Sequence, residues 1–204
     1  MVSEKPDSWS AMWDPKYSGE ILTFNNSRDA FGVAQYLLGY DVNSTNPDEW
    51  RAAEEKLKEQ KPLIQSYVMD EVFNKMEAGE AAMAPYYAGD YLTMKQENDD
   101  LAFVYPKEGT NKFVDVMCIP SSSENKKAAE LFINYMCEPE VALHNANYLG
   151  YLCPVTAVLS DDRYEYKDNE VLYPKQEVKT QFFHNLDQDT LDLLSKLWED
   201  LKLA

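Results

Sequence analysis

Histidine, glycine and cysteine are scarce in this chain of 204 residues, which holds two His, seven Gly and three Cys. Two histidines with no C-x-x-C or H-x-x-x-H pattern exclude the usual zinc or transition-metal centre, whose ligands come from clustered Cys and His, and no cofactor is expected. Cys118, Cys137 and Cys153 are odd in number and widely spaced, and two of them have apolar sequence neighbours. They read as buried thiols and not as a disulfide framework. There is no G-x-G-x-x-G, P-loop, Ser-His-Asp order or nucleophilic Cys motif, and no two acids are set for glycosidase chemistry. The chain therefore does not read as an enzyme. Positive charge is also short: 19 Lys and Arg face 36 Asp and Glu, a formal net charge of −17. Nucleic acid and anionic membrane are excluded as partners, because phosphate binding needs clustered cations. No apolar run approaches the roughly 18 residues of a membrane helix, and no signal-peptide pattern opens the chain.

What is present is the material of a folded domain. Hydrophobic residues make up 45% of the chain and aromatics 13%, enough to bury a core. The length suits one large domain or two small ones at roughly 100–200 residues per domain. The acidic excess fits a solubilising surface and permits cationic ligands.

Along the chain, strand and helix patterns alternate. GEILTFNN from Gly19 predicts a strand, and SRDAFGVAQYLLG predicts a helix with Phe31, Ala34 and Leu38 at helical spacing and Gly39 as its stop. Asn46-Pro47-Asp48-Glu49 supplies an N-cap, a first-turn proline and a capping-box acid for a helix that turns Trp50, Ala53 and Leu57 inward as far as Pro62. LIQSY, AAMAP and LAFVYP predict strands, and DEVFNKMEAG and GDYLTMKQEN predict helices. A further helix over SSSENKKAAELFINYM carries Ala128, Leu131, Phe132, Tyr135 and Met136 on one stripe and is broken at Glu138-Pro139. A short helix through VALHNANY and the turn-like LGYLCP follow, and a polar, Asp- and Tyr-rich connection spans about residues 160–175. The tail TLDLLSKLWEDLKL predicts a terminal amphipathic helix with Leu191, Leu194, Trp198 and Leu201 on one face. This order favours an α/β sheet with helices on its faces.

One stretch breaks the pattern. TNKFVDVMCIP, residues 110–120, reads as a strand whose alternation puts Phe113, Asp115 and Met117 on one face. Burying an unpartnered carboxylate costs several kcal/mol, so Asp115 must be exposed, paired with an internal base, or matched by a cation from outside.

The order of these pieces resembles the periplasmic polyamine-binding proteins, the spermidine/putrescine receptors that feed ABC importers. The segments that carry the resemblance are DSWSAMWDPKYSGEILTFNNSRDAFGVA, TNPDEW, GEAAMAPYYAGDYL, FVYPKEG, the Asp115 strand ending in IP, NKKAAELFINYMCEPEVA and LGYLCPVTA. The resemblance implies a periplasmic-binding-protein type II (flytrap) α/β fold whose two lobes close on ligand. It covers the later part of a family member, so the expectation is a second lobe plus segments returning to an incomplete first lobe. On that reading residues 1–112 form the second-lobe core and residues 113–157 are a crossing strand and helices of the first lobe. Residues 158–204 form a C-terminal segment returning to the core. A signal segment and the first lobe's opening elements are expected to be missing.

The family resemblance also implies site residues. A polyamine needs carboxylates for its ammonium groups and aromatic faces for its methylenes, with cation–π contacts contributing about 0.5–2 kcal/mol each. Asp115 matches the acid that grips an amine and Phe113 the aromatic beside it; Tyr87 and Tyr151 match further aromatic positions. Asn26 and Asp29 match a pair that is often acidic in the family, and as a helix N-cap and third helical residue they also read as capping. His184 matches a polar position near the C-terminal helix, with Gln181 and Asn185 as neighbours that fit if the loop shifts. The resemblance further implies a membrane permease as partner and a periplasmic or extracytoplasmic location. A related solute-binding protein for ferric ion or sulfate is the alternative, and Asp115 speaks against an anion. A chain covering only part of the two-lobed protein is expected to bind ligand weakly and to self-associate or domain-swap through exposed apolar faces such as Leu131, Phe132 and Tyr135.

Overall fold

The computed structural model describes all 204 residues. The chain divides into two compact units, the first made of Met1–Tyr86, Met94–Phe113 and Glu177–Ala204, the second of Tyr87–Thr93 and Val114–Gln176. No helix is long and apolar enough to cross a membrane.

The first unit begins with two 3-10 turns, Trp9–Trp13 and Pro15–Tyr17, which lead into β1 (Ile21–Phe24). Then come α1 (Ser27–Leu38), α2 (Pro47–Gln60), β2 (Ile64–Val68) and α3 (Glu71–Glu77). β2 returns parallel to β1, with Ile21 beside Ile64 and, after an irregularity, Phe24 beside Val68. β1 is buried along its whole length, as an apolar strand covered on both faces must be. The helix boundaries follow from side-chain chemistry. The Asn26 side chain accepts from the amides of Arg28 (2.9 Å) and Asp29 (3.3 Å), and Gly39 ends α1 at φ 76°, a left-handed conformation that glycine adopts without a Cβ clash. Asn46 accepts from the Asp48 amide at 3.1 Å with Pro47 in the first turn.

The core of this unit is a three-helix cluster of Phe31 and Ala34 from α1, Trp50, Ala53 and Leu57 from α2, and Leu194, Leu197 and Leu201 from α8 (Gln188–Leu203). The terminal helix thus packs as an amphipathic element, but its buried stripe is Thr190, Leu194, Leu197 and Leu201. Leu191, expected inward, is 40% exposed, and Trp198 packs at the edge of the cluster. Two expected strands are absent: AAMAP contributes a single bridge between Met83 and Ile21, and LAFVYP has no regular structure.

The strand expected over 110–120 is also cut short. β3 is only Thr110–Lys112, paired parallel with β4 (Thr180–Phe182) from Thr110 beside Thr180 to Lys112 beside Phe182. A strand persists only while a neighbour completes its ladder, and β4 supplies three residues. Beyond Lys112 the chain is irregular, and Val114 (69%), Val116 (73%) and Met117 (52%) are exposed.

α4 (Ala88–Glu97) starts in the second unit and ends in the first. The second unit also holds α5 (Lys126–Met136), α6 (Pro139–Leu149) and α7 (Thr156–Leu159). Its core is small: Ala142, Leu143 and Ala146 of α6, Val158 of α7 and Tyr164, ringed by Cys153, Val155, Tyr166 and Tyr173. Arg163 clasps the start of α6, donating to both Glu140 oxygens at 3.0 and 2.7 Å while also bonding Asp161. These bonds hold the Asp161 carboxyl down at about 2 and push the guanidinium up. α5 buries no residue, and its apolar stripe is open to solvent. For the same reason the thiols are not buried as expected: Cys118 and Cys137 share the exposure of their apolar neighbours, and Cys153 is half-buried.

Candidate ligand-binding site

In the first unit the expected residues gather at the start of α1. Asn26 is occupied as the cap, and Asp29, in its first turn, is buried, with Asn111 of β3 donating to its Oδ1 at 3.4 Å. The donors of Arg28 go to the Val42 carbonyl (2.6 Å), Asn43 Oδ1 (3.0 Å) and the His184 carbonyl (3.3 Å), and its charge also interacts with that of Asp29. The guanidinium also lies 4.6 Å from the Phe183 ring centre, and burial is the main cause pulling its pKa down. His184 enters this network through its main chain, its amide donating to Asn43 Oδ1 at 2.7 Å, while the residue is exposed. Gln181 Oε1 accepts from the Val42 amide at 3.1 Å and so braces the same loop. Phe113, 42% exposed, is the last residue of this stretch of the unit.

In the second unit, Tyr87 immediately precedes α4 and its carbonyl accepts from the Tyr91 amide at 3.0 Å. Tyr151 follows Gly150, whose left-handed φ of 67° closes α6. The Tyr151 hydroxyl donates to Asp90 Oδ1 at 2.9 Å. Its phenol is pushed well above the ordinary range, first by burial, then by the Asp90 charge and hydrogen bond, with a further contribution from the Asp115 charge. Asp115 is thus within electrostatic reach of Tyr151; it is exposed, and it takes part in none of the molecule's ion pairs. The strand face expected to unite Phe113 with Asp115 does not form, and the two residues fall in different units. Asp90, the partner of Tyr151, is a residue that sequence reasoning did not single out, because nothing near it in the chain announces that contact. No group of three or more His, Cys, Asp or Glu side chains is placed to hold a metal ion.

Residues 1–172 match the model of the bacterial extracellular solute-binding proteins. The chain belongs to that family. Among its relatives, the spermidine/putrescine-binding periplasmic protein of Escherichia coli is 32% identical over 170 residues, covering 83% of this chain and 49% of the relative. The putrescine/cadaverine-binding protein of Pseudomonas aeruginosa is 25% identical over 210 residues, covering 97% of this chain and 59% of the relative. The crystal structure of the spermidine/putrescine ABC transporter substrate-binding protein PotD from Streptococcus pneumoniae superposes with a TM-score of 0.84 at 30% identity, over 100% of this chain and 64% of that one. This member of the solute-binding family therefore has the α/β fold of the type II periplasmic binding proteins, and it spans about half the length of the curated relatives it matches. Those relatives are transport proteins and not enzymes.

Proposed function

We propose that this chain is part of the receptor of a polyamine ABC importer and contributes carboxylate and aromatic side chains that hold spermidine or putrescine. The observation that carries the reading is Asp115, an acid set among apolar neighbours with no Lys or Arg of its own chain at ion-pair distance. Exposed and solvated, the carboxylate needs no internal base, and it is open to an ammonium group through a charge-assisted hydrogen bond. Asp29 serves a second amine. Phe113, Tyr87 and Tyr151 cover methylenes, while Asn26 and His184 border the α1 end. The net charge of −17 favours a polycation at longer range. Residues 1–112 are read as the receptor's second lobe, residues 113–157 as part of its first, and residues 158–204 as returning to the second. The receptor works outside the cytoplasm and delivers ligand to a membrane permease.

Calorimetry with spermidine, putrescine, ferric ion and sulfate tests this reading. Heat that saturates is expected with a polyamine alone and is expected to be lost in Asp115→Asn. Because Asp115 is exposed, binding by the 204-residue chain should be weaker than micromolar, a threshold equal to about 8 kcal/mol. Saturable binding of sulfate or iron with none of polyamine would overturn the assignment.

A further inference from the structure

Tyr151 is held from two sides by neighbouring residues of α4. A Cβ on Gly89 would run into Cε2, Cδ2 and Cζ of the Tyr151 ring, well inside van der Waals contact, so the ring packs against the helix where only glycine leaves room. The next residue, Asp90, accepts a hydrogen bond from the hydroxyl at its Oδ1, 2.9 Å away. A phenol has one donor and two acceptor lone pairs, and an ionised carboxylate can only accept. With its proton committed to Asp90, the Tyr151 oxygen can only accept from anything else. Asp90 also sits in the first turn of α4, where its charge offsets the partial positive end that would otherwise favour an anion.

We propose that Asp90 is a positioning and specificity-determining residue: by fixing the Tyr151 hydroxyl as an acceptor, it makes this part of the site accept ammonium donors and reject anions. This rests on the polyamine reading above. An ammonium carries three donors and no acceptor, and matches the oriented phenol. A sulfate or carboxylate would need the phenol proton that Tyr151 already donates to Asp90, and would meet the charge of Asp90 itself. The Asp115 charge, felt at the same phenol, acts in the same sense.

The test titrates spermidine and sulfate into the full 204-residue chain and into Asp90→Asn, Tyr151→Phe, the double variant and Gly89→Ala, with thermal unfolding of each. Asp90→Asn should lower spermidine affinity about tenfold, the size of one charge-assisted contact, and relax the rejection of sulfate. Tyr151→Phe should lose a similar factor, and the double variant little more than either alone, since the two side chains act as a unit. Gly89→Ala displaces the ring, so affinity should fall, and its melting temperature reads how far the gain in helix backbone offsets the lost packing. Should Asp90→Asn unfold, Gly89→Ala decides in its place. Spermidine affinity unchanged in Asp90→Asn and Gly89→Ala while the parent chain binds, or losses that multiply in the double variant, would remove this proposal and leave the function standing. A parent chain that binds no polyamine would remove both.

Discussion

Asn26 serves two demands that a single substitution can separate. Its side chain satisfies two amides at the start of α1, so Asn26→Ala should cost about 1 kcal/mol in thermal unfolding. Asn26→Asp keeps an oxygen acceptor for the same amides and places a negative charge at the positive end of the helix, a gain of about 0.3–1 kcal/mol. If Asn26 borders the ligand as proposed, the new acid three residues before Asp29 should also tighten spermidine binding severalfold. A variant that is more stable and binds no more tightly would make Asn26 a cap and nothing else. The cap was legible because capping is local: the oxygen and the amides it satisfies lie within three residues. Asp115 stood out as a charge in an apolar run. Asp90 did not, because its partner Tyr151 is 61 residues away and a bond across that distance leaves no periodicity in the sequence. At His184 the hydrogen bonds to Arg28 and Asn43 run through the main chain, which the residue type does not announce.

Among the elements, α1, α2 and α8 hold the first unit together, and Trp50 is their meeting point. It is fully buried, its ring centre is 5.8 Å from that of Phe31, and its Nε1 donates to the Ser44 carbonyl at 2.8 Å. Trp50→Ala should cost about 3–5 kcal/mol through the cavity it leaves. Trp50→Phe keeps most of the packing but orphans the Ser44 carbonyl, a loss of about 1–3 kcal/mol. Equilibrium denaturation of both variants checks the order, and equal losses would show that the hydrogen bond, and not the packing of the ring, carries the loss. These helices could be read in advance because period, cap and stop signals coincide within each segment. Strands could not: whether LAFVYP or residues 113–120 form a ladder depends on what lies beside them, and pairing is a property of the neighbour. The terminal helix shows the intermediate case. Its amphipathic character was plain, but which leucines face inward depends on how α8 lies against α1 and α2, and the first-turn Leu191 stays outside.

At the scale of the molecule two forces oppose each other. Leu131 (63%), Phe132 (55%) and Tyr135 (56%) leave an apolar stripe of α5 in water, and burying it against a second copy would return roughly 25 cal/mol for each Å² covered. Against this stands the repulsion of two chains that each carry −17. Charge repulsion is screened by salt while the apolar term is not, and the screening length falls from about 30 Å at 0.01 M to about 3 Å at 1 M. Self-association should therefore grow with ionic strength, opposite to an assembly held by ion pairs. Sedimentation of the 204-residue chain should show monomer at low salt and dimer at high salt. Phe132→Glu, on the exposed stripe and outside both cores, should stay folded and monomeric throughout. A chain that remains monomeric at high salt, with little dye bound to apolar surface, would count against the stripe as a self-association face.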